Sequence, residues 1–78
     1  MVNVDKLRGK MVEKRLNVSM LADKIGIDRT TLYRKLNGNG SMFTIKEADA
    51  IVRELNIPPE EAMSIFFNQF VAEMRITN

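Results

Sequence analysis

The 78-residue chain is predicted to be a single all-α domain, with five helices packed around one small core. Apolar residues recur at helical spacing, and no segment alternates apolar and polar residues as a half-buried strand does. Capping residues precede several of the apolar stretches, and glycine or proline separates most of them. The apolar content of 45% suffices for one core, whereas the length leaves no room for a second domain.

The first two helices are predicted from their apolar stripes and their ends. Helix 1 is expected over Val4–Arg15, and helix 2 follows a capping residue, either Asn17 or Ser19. Gly26 is expected to end helix 2 in the left-handed conformation, which glycine adopts without steric cost. The residues expected to face inward are Val4, Leu7, Met11 and Val12 in helix 1, and Leu21, Ala22 and Ile25 in helix 2.

Three further helices are predicted from local end signals. Asp28 is expected to cap helix 3, which Asn37-Gly38 ends. Thr44 and Glu47 have the spacing of a capping box, which starts helix 4. Pro58-Pro59 and the two acids after it open helix 5, because proline suits a first turn and acids suit its positive end. The expected inward residues are Leu32 and Leu36 in helix 3, Ile45, Ala48, Ile51, Val52 and Leu55 in helix 4, and Ala62, Ile65 and Phe66 in helix 5.

Charge is unevenly distributed along the chain. Residues 1–37 carry nine Lys and Arg against four acids, a net charge of +5, and residues 38–78 carry three against six, a net charge of −3. This division favours one side that faces a polyanion, although ordinary surface charge explains it equally well.

Several function classes are excluded by composition. The chain has no Cys and no His, so disulfides, zinc fingers and nucleophilic or acid–base schemes built on those residues are absent. It has no glycine-rich phosphate loop, and Glu60 and Glu61 diverge at a helix start, so we expect neither an enzyme nor a cofactor. Without a signal pattern or a long apolar run, no membrane association is expected, and the expected location is the cytoplasm.

The informative segment is residues 17–38, NVSMLADKIGIDRTTLYRKLNG, in which two short helices meet at a turn centred on Gly26-Ile27. Ala22 is small where the two helices must touch, and Leu32 anchors the second. These features resemble the helix-turn-helix of the Cro/cI-type phage repressor family, also described as xenobiotic-response-element-like regulators. The resemblance extends over nearly the whole chain. It implies the compact five-helix fold of lambda-repressor-like DNA-binding domains and a repressor that binds a palindromic operator as a homodimer.

The resemblance also implies that the second motif helix enters the major groove of double-stranded DNA. Helical spacing then places Thr30 and Arg34 opposite the buried side, while Arg29 projects from the first turn. These three residues are the expected base contacts, because guanidinium donors suit guanine O6 and N7 and threonine suits a thymine methyl. Phosphate contact by the two arginines is the alternative. Lys35 stands where family members usually have an apolar residue, and its stem is expected to follow the core edge.

The remaining expected DNA contacts are to the backbone. The first motif helix would direct its free amides at a phosphate, although Ser19 can also serve only as a cap. The expected backbone contacts are Lys14, Arg15, Asn17, Val18, Ser19, Thr31, Tyr33, Asn37, Asn39 and Ser41.

The C-terminal segment, residues 66–78, carries apolar residues beyond those that a small core needs. Such a surplus stripe usually marks an interface. The residues expected at a dimer interface are Phe67, Phe70, Val71 and Met74. The alternative is that the tail folds back and completes the core of its own monomer.

Two other functions compete with DNA recognition. An antitoxin-like protein-interaction module can use the same fold, with the acidic second half facing a protein partner. RNA binding is disfavoured, because exposed aromatic residues for base stacking are lacking. No small-molecule ligand is expected.

Overall fold

The computed structural model describes residues 2–37 and 42–66 of the chain. Its helices are α1 (Val4–Glu13), α2 (Val18–Ile25), α3 (Arg29–Leu36) and α4 (Ile45–Glu54), followed by α5 over residues 59–66. The described ranges contain no strand, and the predicted all-α class with five helices is confirmed.

The first four helices begin at side chains that accept backbone N–H groups of the first turn. These N-caps are Asn3, Asn17, Asp28 and Thr44. At α2 the cap is Asn17 and not Ser19, because Asn17 Oδ1 accepts the Met20 N–H at 2.8 Å. The predicted capping box is complete: the Glu47 N–H donates to Thr44 Oγ1 at 3.0 Å, and the Thr44 N–H donates to Glu47 Oε1 at 2.8 Å.

One hydrophobic core joins the helices. Phe43 and Phe66 meet edge to face, with ring centroids 5.9 Å apart and ring planes at 84°. The chain before α4 is therefore packed against α5. Val4, Ile25, Val52 and Ala62, which were expected inside, are only partly buried against this core. The buried residues are Leu7, Met11, Leu21, Ala22, Leu32, Leu36, Phe43, Ala48, Ile51, Leu55, Ile57, Ile65 and Phe66.

Helix α5 runs antiparallel to α1. Three polar contacts join them: the Asn3 N–H to the Ile65 carbonyl (2.8 Å), Lys6 Nζ to Ser64 Oγ (2.7 Å) and Lys10 Nζ to Glu61 Oε2 (2.6 Å). The hydrogen bond to Glu61 raises the pKa of Lys10. Glu61, expected only to complement the helix dipole, thus also ties α5 to α1.

The prediction that Val12 lies on the inner face of α1 is wrong, since this side chain is 74% exposed. Leu7 and Met11 define the buried side of α1, and Val12 lies about 100° around the helix from Met11. The helix also ends at Glu13, two residues earlier than predicted. Val12 therefore lies in the last turn, on the exposed side of the helix.

The prediction that Ile45 is buried is also wrong, since it is 72% exposed. The buried side of α4 is centred on Ala48, Ile51 and Leu55, and Ile45 lies about 90° away from that line. As the first residue of α4 it also lacks a preceding turn to pack against.

Candidate nucleic-acid interface

Helices α2 and α3 are joined by a tight turn of three residues, Gly26 to Asp28. Gly26 has φ 77° and ψ 30°, the predicted left-handed conformation, which a side chain would strain. The N–H groups of Gly26 and Ile27 both donate to the Ala22 carbonyl, at 2.9 and 3.1 Å. Ala22 is buried, and its small side chain lets the two helices approach each other closely.

Asp28 fixes the first turn of α3. Its Oδ2 atom accepts the N–H groups of Thr30 and Thr31 at 2.9 and 3.3 Å, and its charge complements the positive end of the helix dipole. This first turn carries Arg29 and Thr30, two of the three expected base contacts. By capping the helix at this point, Asp28 determines where on α3 these two residues lie.

Helix α3 turns one side into the core and leaves the opposite side exposed. Leu32 and Leu36 are buried and Lys35 is half-buried, as the helical spacing predicted. A shallow concavity on the exposed side is lined by Arg29, Thr30, Tyr33, Arg34 and Asn37. We call these five residues the α3 face. The three residues expected to contact bases thus lie together on one exposed surface, whereas Thr31, also exposed, does not line it.

Lys35 holds α3 against α4. Its Nζ atom lies 2.5 Å from Glu47 Oε1 and 5.8 Å from the centroid of the Phe43 ring. Burial acts to raise the pKa of the Glu47 carboxyl, but hydrogen bonds from Lys35 and from the Thr44 N–H outweigh it, and the pKa lies below its ordinary value. The charge of Lys35 is therefore used inside the fold and does not contribute to the α3 face.

The start of α2 lies beside the start of α3. Ser19 and Arg29 line a common groove, together with Met20, Asp23 and Asp28 among others. Asn17 caps the Met20 N–H, whereas the N–H groups of Val18 and Ser19 have no acceptor within the helix. Free N–H groups at a helix start favour an anion. The carboxylates of Asp23 and Asp28, which line the same groove, repel such an anion.

The end of α1 carries two exposed cations. Lys14 is the C-cap of α1, and Arg15 follows it with φ 57°, a left-handed conformation that is uncommon for a residue other than glycine. The Leu16 N–H then donates to the Met11 carbonyl at 2.9 Å and closes the helix end. This turn places Arg15 two residues before Asn17, the cap of α2.

Among the residues that the structure describes, the cations of the predicted interface form no ion pairs. Within the described ranges, the acids that lie within 4.0 Å of a cation are bound to Lys10, Lys35 and Arg53. Those same ranges give no ion pair to Lys14, Arg15, Arg29 or Arg34. Four of the residues expected to contact DNA therefore keep their positive charge available to an anion.

Arg8 reaches the same surface from α1, a contact that no sequence pattern indicated. Its Nη2 atom donates to Asn37 Oδ1 at 3.3 Å, across 29 residues of chain. The contact depends on how α1 packs against the end of α3, so no local pattern could have indicated it.

Six of the expected contacts lie outside the described residues: Asn39 and Ser41 for DNA, and Phe67, Phe70, Val71 and Met74 for the dimer. Their roles stay predictions. Across residues 2–37 and 42–66, no group of three or more His, Cys, Asp or Glu could hold a metal ion. None of the helices in those ranges is long and apolar enough to cross a membrane.

A family model described as the Cro/C1-type HTH DNA-binding domain matches residues 6–68. No curated protein and no solved structure matches the chain.

Proposed function

Because the chain belongs to the Cro/C1-type HTH DNA-binding domain family, whose members are DNA-binding regulators, we propose that it is a sequence-specific transcriptional repressor of the phage type. In this proposal two copies bind a palindromic operator and occlude a promoter, in the cytoplasm of a bacterial or phage-infected cell. The observation that carries it is the α3 face, on which Arg29, Thr30 and Arg34 lie together and exposed, with no ion pair to either arginine in the described ranges.

Base recognition follows from the chemistry of that face. With α3 in the major groove, Arg29 and Arg34 each offer a forked pair of donors to the O6 and N7 acceptors of a guanine. Thr30 lies between them on the same surface and contacts a thymine methyl or a base amine. Tyr33 and Asn37, at the edges of the concavity, reach the sugar–phosphate backbone.

Phosphate contacts on either side of α3 orient it in the groove. Lys14 and Arg15 at the end of α1 and the free N–H groups of Val18 and Ser19 at the start of α2 provide one cluster. Thr31 provides a further hydroxyl donor next to Thr30. Such contacts set register and supply sequence-independent affinity.

Selection of bound sequences from a random DNA pool tests the proposal. We expect enrichment of two inverted half-sites with centres ~34 Å apart, or a multiple of this. With six to eight phosphates contacted per dimer, affinity for the selected site should fall by about three to four decades between 50 and 200 mM salt. A triple variant with Ala at positions 29, 30 and 34 is the control, and it should fold but select no sequence.

An unenriched pool, or binding without salt dependence, would overturn this function. Retention of a protein partner in the absence of any DNA binding would instead support the antitoxin-like interaction module.

A further inference from the structure

Arg8 and Asn37 meet at the C-terminal end of α3, through a hydrogen bond from the Arg8 guanidinium to the Asn37 side chain. We propose that they form one anion-binding pair for a DNA phosphodiester, in which Arg8 is the positioning residue and Asn37 the direct donor. This inference rests on the proposed function and adds a residue that neither the sequence pattern nor the family match assigns.

The hydrogen bond from Arg8 fixes the polarity of the Asn37 amide. An asparagine side chain has one acceptor end and one donor end, and a phosphate accepts only from the donor end. Arg8 Nη2 donates to Oδ1 of Asn37, so the oxygen faces α1 and the NH₂ group points the other way. Asn37 is exposed and lines the α3 face beside Arg34. The amide therefore presents its donors where a DNA strand would pass.

A phosphate at this end of α3 also needs positive charge. The C-terminal end of a helix carries the negative pole of its dipole, which repels an anion. Of the two cations in the last turn, Lys35 is paired with Glu47, and Arg34 contacts a base in the proposed function, so neither offsets this repulsion. Arg8 brings a guanidinium from a different helix, and it has no ion pair within the described ranges. The same guanidinium therefore offsets the negative end of the α3 dipole and orients the Asn37 amide.

The test is a double-mutant cycle in the full chain, measured by anisotropy titration at several salt concentrations on a selected DNA site and on unrelated DNA. The variants are Arg8→Met, which keeps an apolar stem, Asn37→Ala, and the two combined. Arg53→Met is the matched control: it removes an arginine that is 79% exposed and bonded to Asp49 in α4.

We expect each single variant to lower affinity about fivefold on both DNAs. The salt slope should fall by about one per bound subunit in Arg8→Met, because that variant removes a positive charge. The double variant should be little weaker than either single one, because Asn37 depends on Arg8 for its orientation. Arg53→Met should change affinity by less than about twofold, and melting temperatures should agree among all variants to within a few degrees.

Losses that multiply in the double variant would overturn the positioning role, and so would an unchanged affinity in Arg8→Met. An affinity loss matched by a large loss of melting temperature would assign Arg8 to the fold alone. If the unaltered protein binds no DNA, the proposed function fails as well. If the wild type binds DNA and Arg8→Met binds it equally well, only the proposed Arg8–Asn37 pair is refuted.

Discussion

Lys35 Nζ lies 2.5 Å from Glu47 Oε1, and that same oxygen accepts the N–H of Thr44 at 2.8 Å. One carboxylate thus closes the capping box of α4 and holds a residue of α3. Leu32 and Leu36 bury the same side of α3. The ion pair therefore helps to set which residues of α3 face outward, since α3 cannot rotate without separating the two charges.

Removing one charge of this pair should lower the free energy of unfolding more than removing both charges. In Lys35→Met the Glu47 carboxylate, 16% exposed, loses its counter-charge, and we expect about 1–3 kcal/mol of destabilisation. Adding Glu47→Gln should recover part of that loss, because glutamine can still accept the Thr44 N–H without leaving an unpaired charge. Urea unfolding measures both effects. A double variant less stable than Lys35→Met would contradict the interpretation.

The same pair predicts a pH dependence. The folded-state pKa of Glu47 lies below its ordinary value, so the folded protein binds this proton less readily than the unfolded chain does. The stabilisation is therefore fully present above the unfolded pKa and is lost as the pH falls through the folded one. Free energies of unfolding of the wild type and Glu47→Gln, measured at falling pH, should differ at neutral pH and converge in acid. A difference that stays constant into the acid range would show that the carboxylate charge is not the cause.

The helix ends were predictable from the sequence because they depend on local chemistry. Asn17, Asp28 and Thr44 each bond to an N–H two or three residues ahead, and Gly26 supplies the left-handed turn. None of these contacts requires knowledge of distant residues.

Contacts between helices were not predictable in the same way. The inward position of Lys35 was correct, but its partner Glu47 lies 12 residues away, and Arg8 lies 29 residues from Asn37. The prediction that Ile45 is buried was wrong for a related reason. Its apolar side chain suits a core, but whether it is buried depends on where the other helices lie. Helical spacing correctly predicted that Thr30 and Arg34 lie on the exposed side of α3, whereas the prediction for Arg29 depended on its position in the first turn.

Arg15 should show a conflict between stability and DNA binding. Its φ of 57° is strained for a residue with a side chain, so Arg15→Gly should raise the free energy of unfolding by about 0.5–1 kcal/mol. The same change should weaken DNA binding and lower the salt slope by about one per subunit, because a phosphate contact is lost. Asn56→Gly is the matched control, since Asn56 has φ 51° and no charge. It should leave the salt slope unchanged; an equal loss of slope in both variants would disprove a charge effect at Arg15.

Arg34 and Lys14 should differ in what they contribute to recognition. Arg34→Ala should relax preference at particular base pairs and cost ~1–3 kcal/mol on the best site. Lys14→Ala should weaken binding to all sequences alike and lower the salt slope by about one per subunit. Both side chains are exposed, so melting temperatures should change little. Competition titrations on matched and mismatched sites separate the two outcomes, and a uniform loss for Arg34→Ala would make it a phosphate contact.

The C-terminal apolar stripe should form the dimer on which tight operator binding depends. One α3 helix spans 8 residues and reads only part of an operator turn, so two copies ~34 Å apart are needed for high affinity. The described residues already bury Ile65 and Phe66 in the core, which leaves the stripe that begins at Phe67 as surplus. Replacing Phe70 by Glu together with Val71 by Lys should therefore give a folded monomer in sedimentation, with operator affinity strongly reduced. If this variant unfolds instead, and the wild type is monomeric in solution, the stripe belongs to the monomer core and the DNA itself assembles the pair.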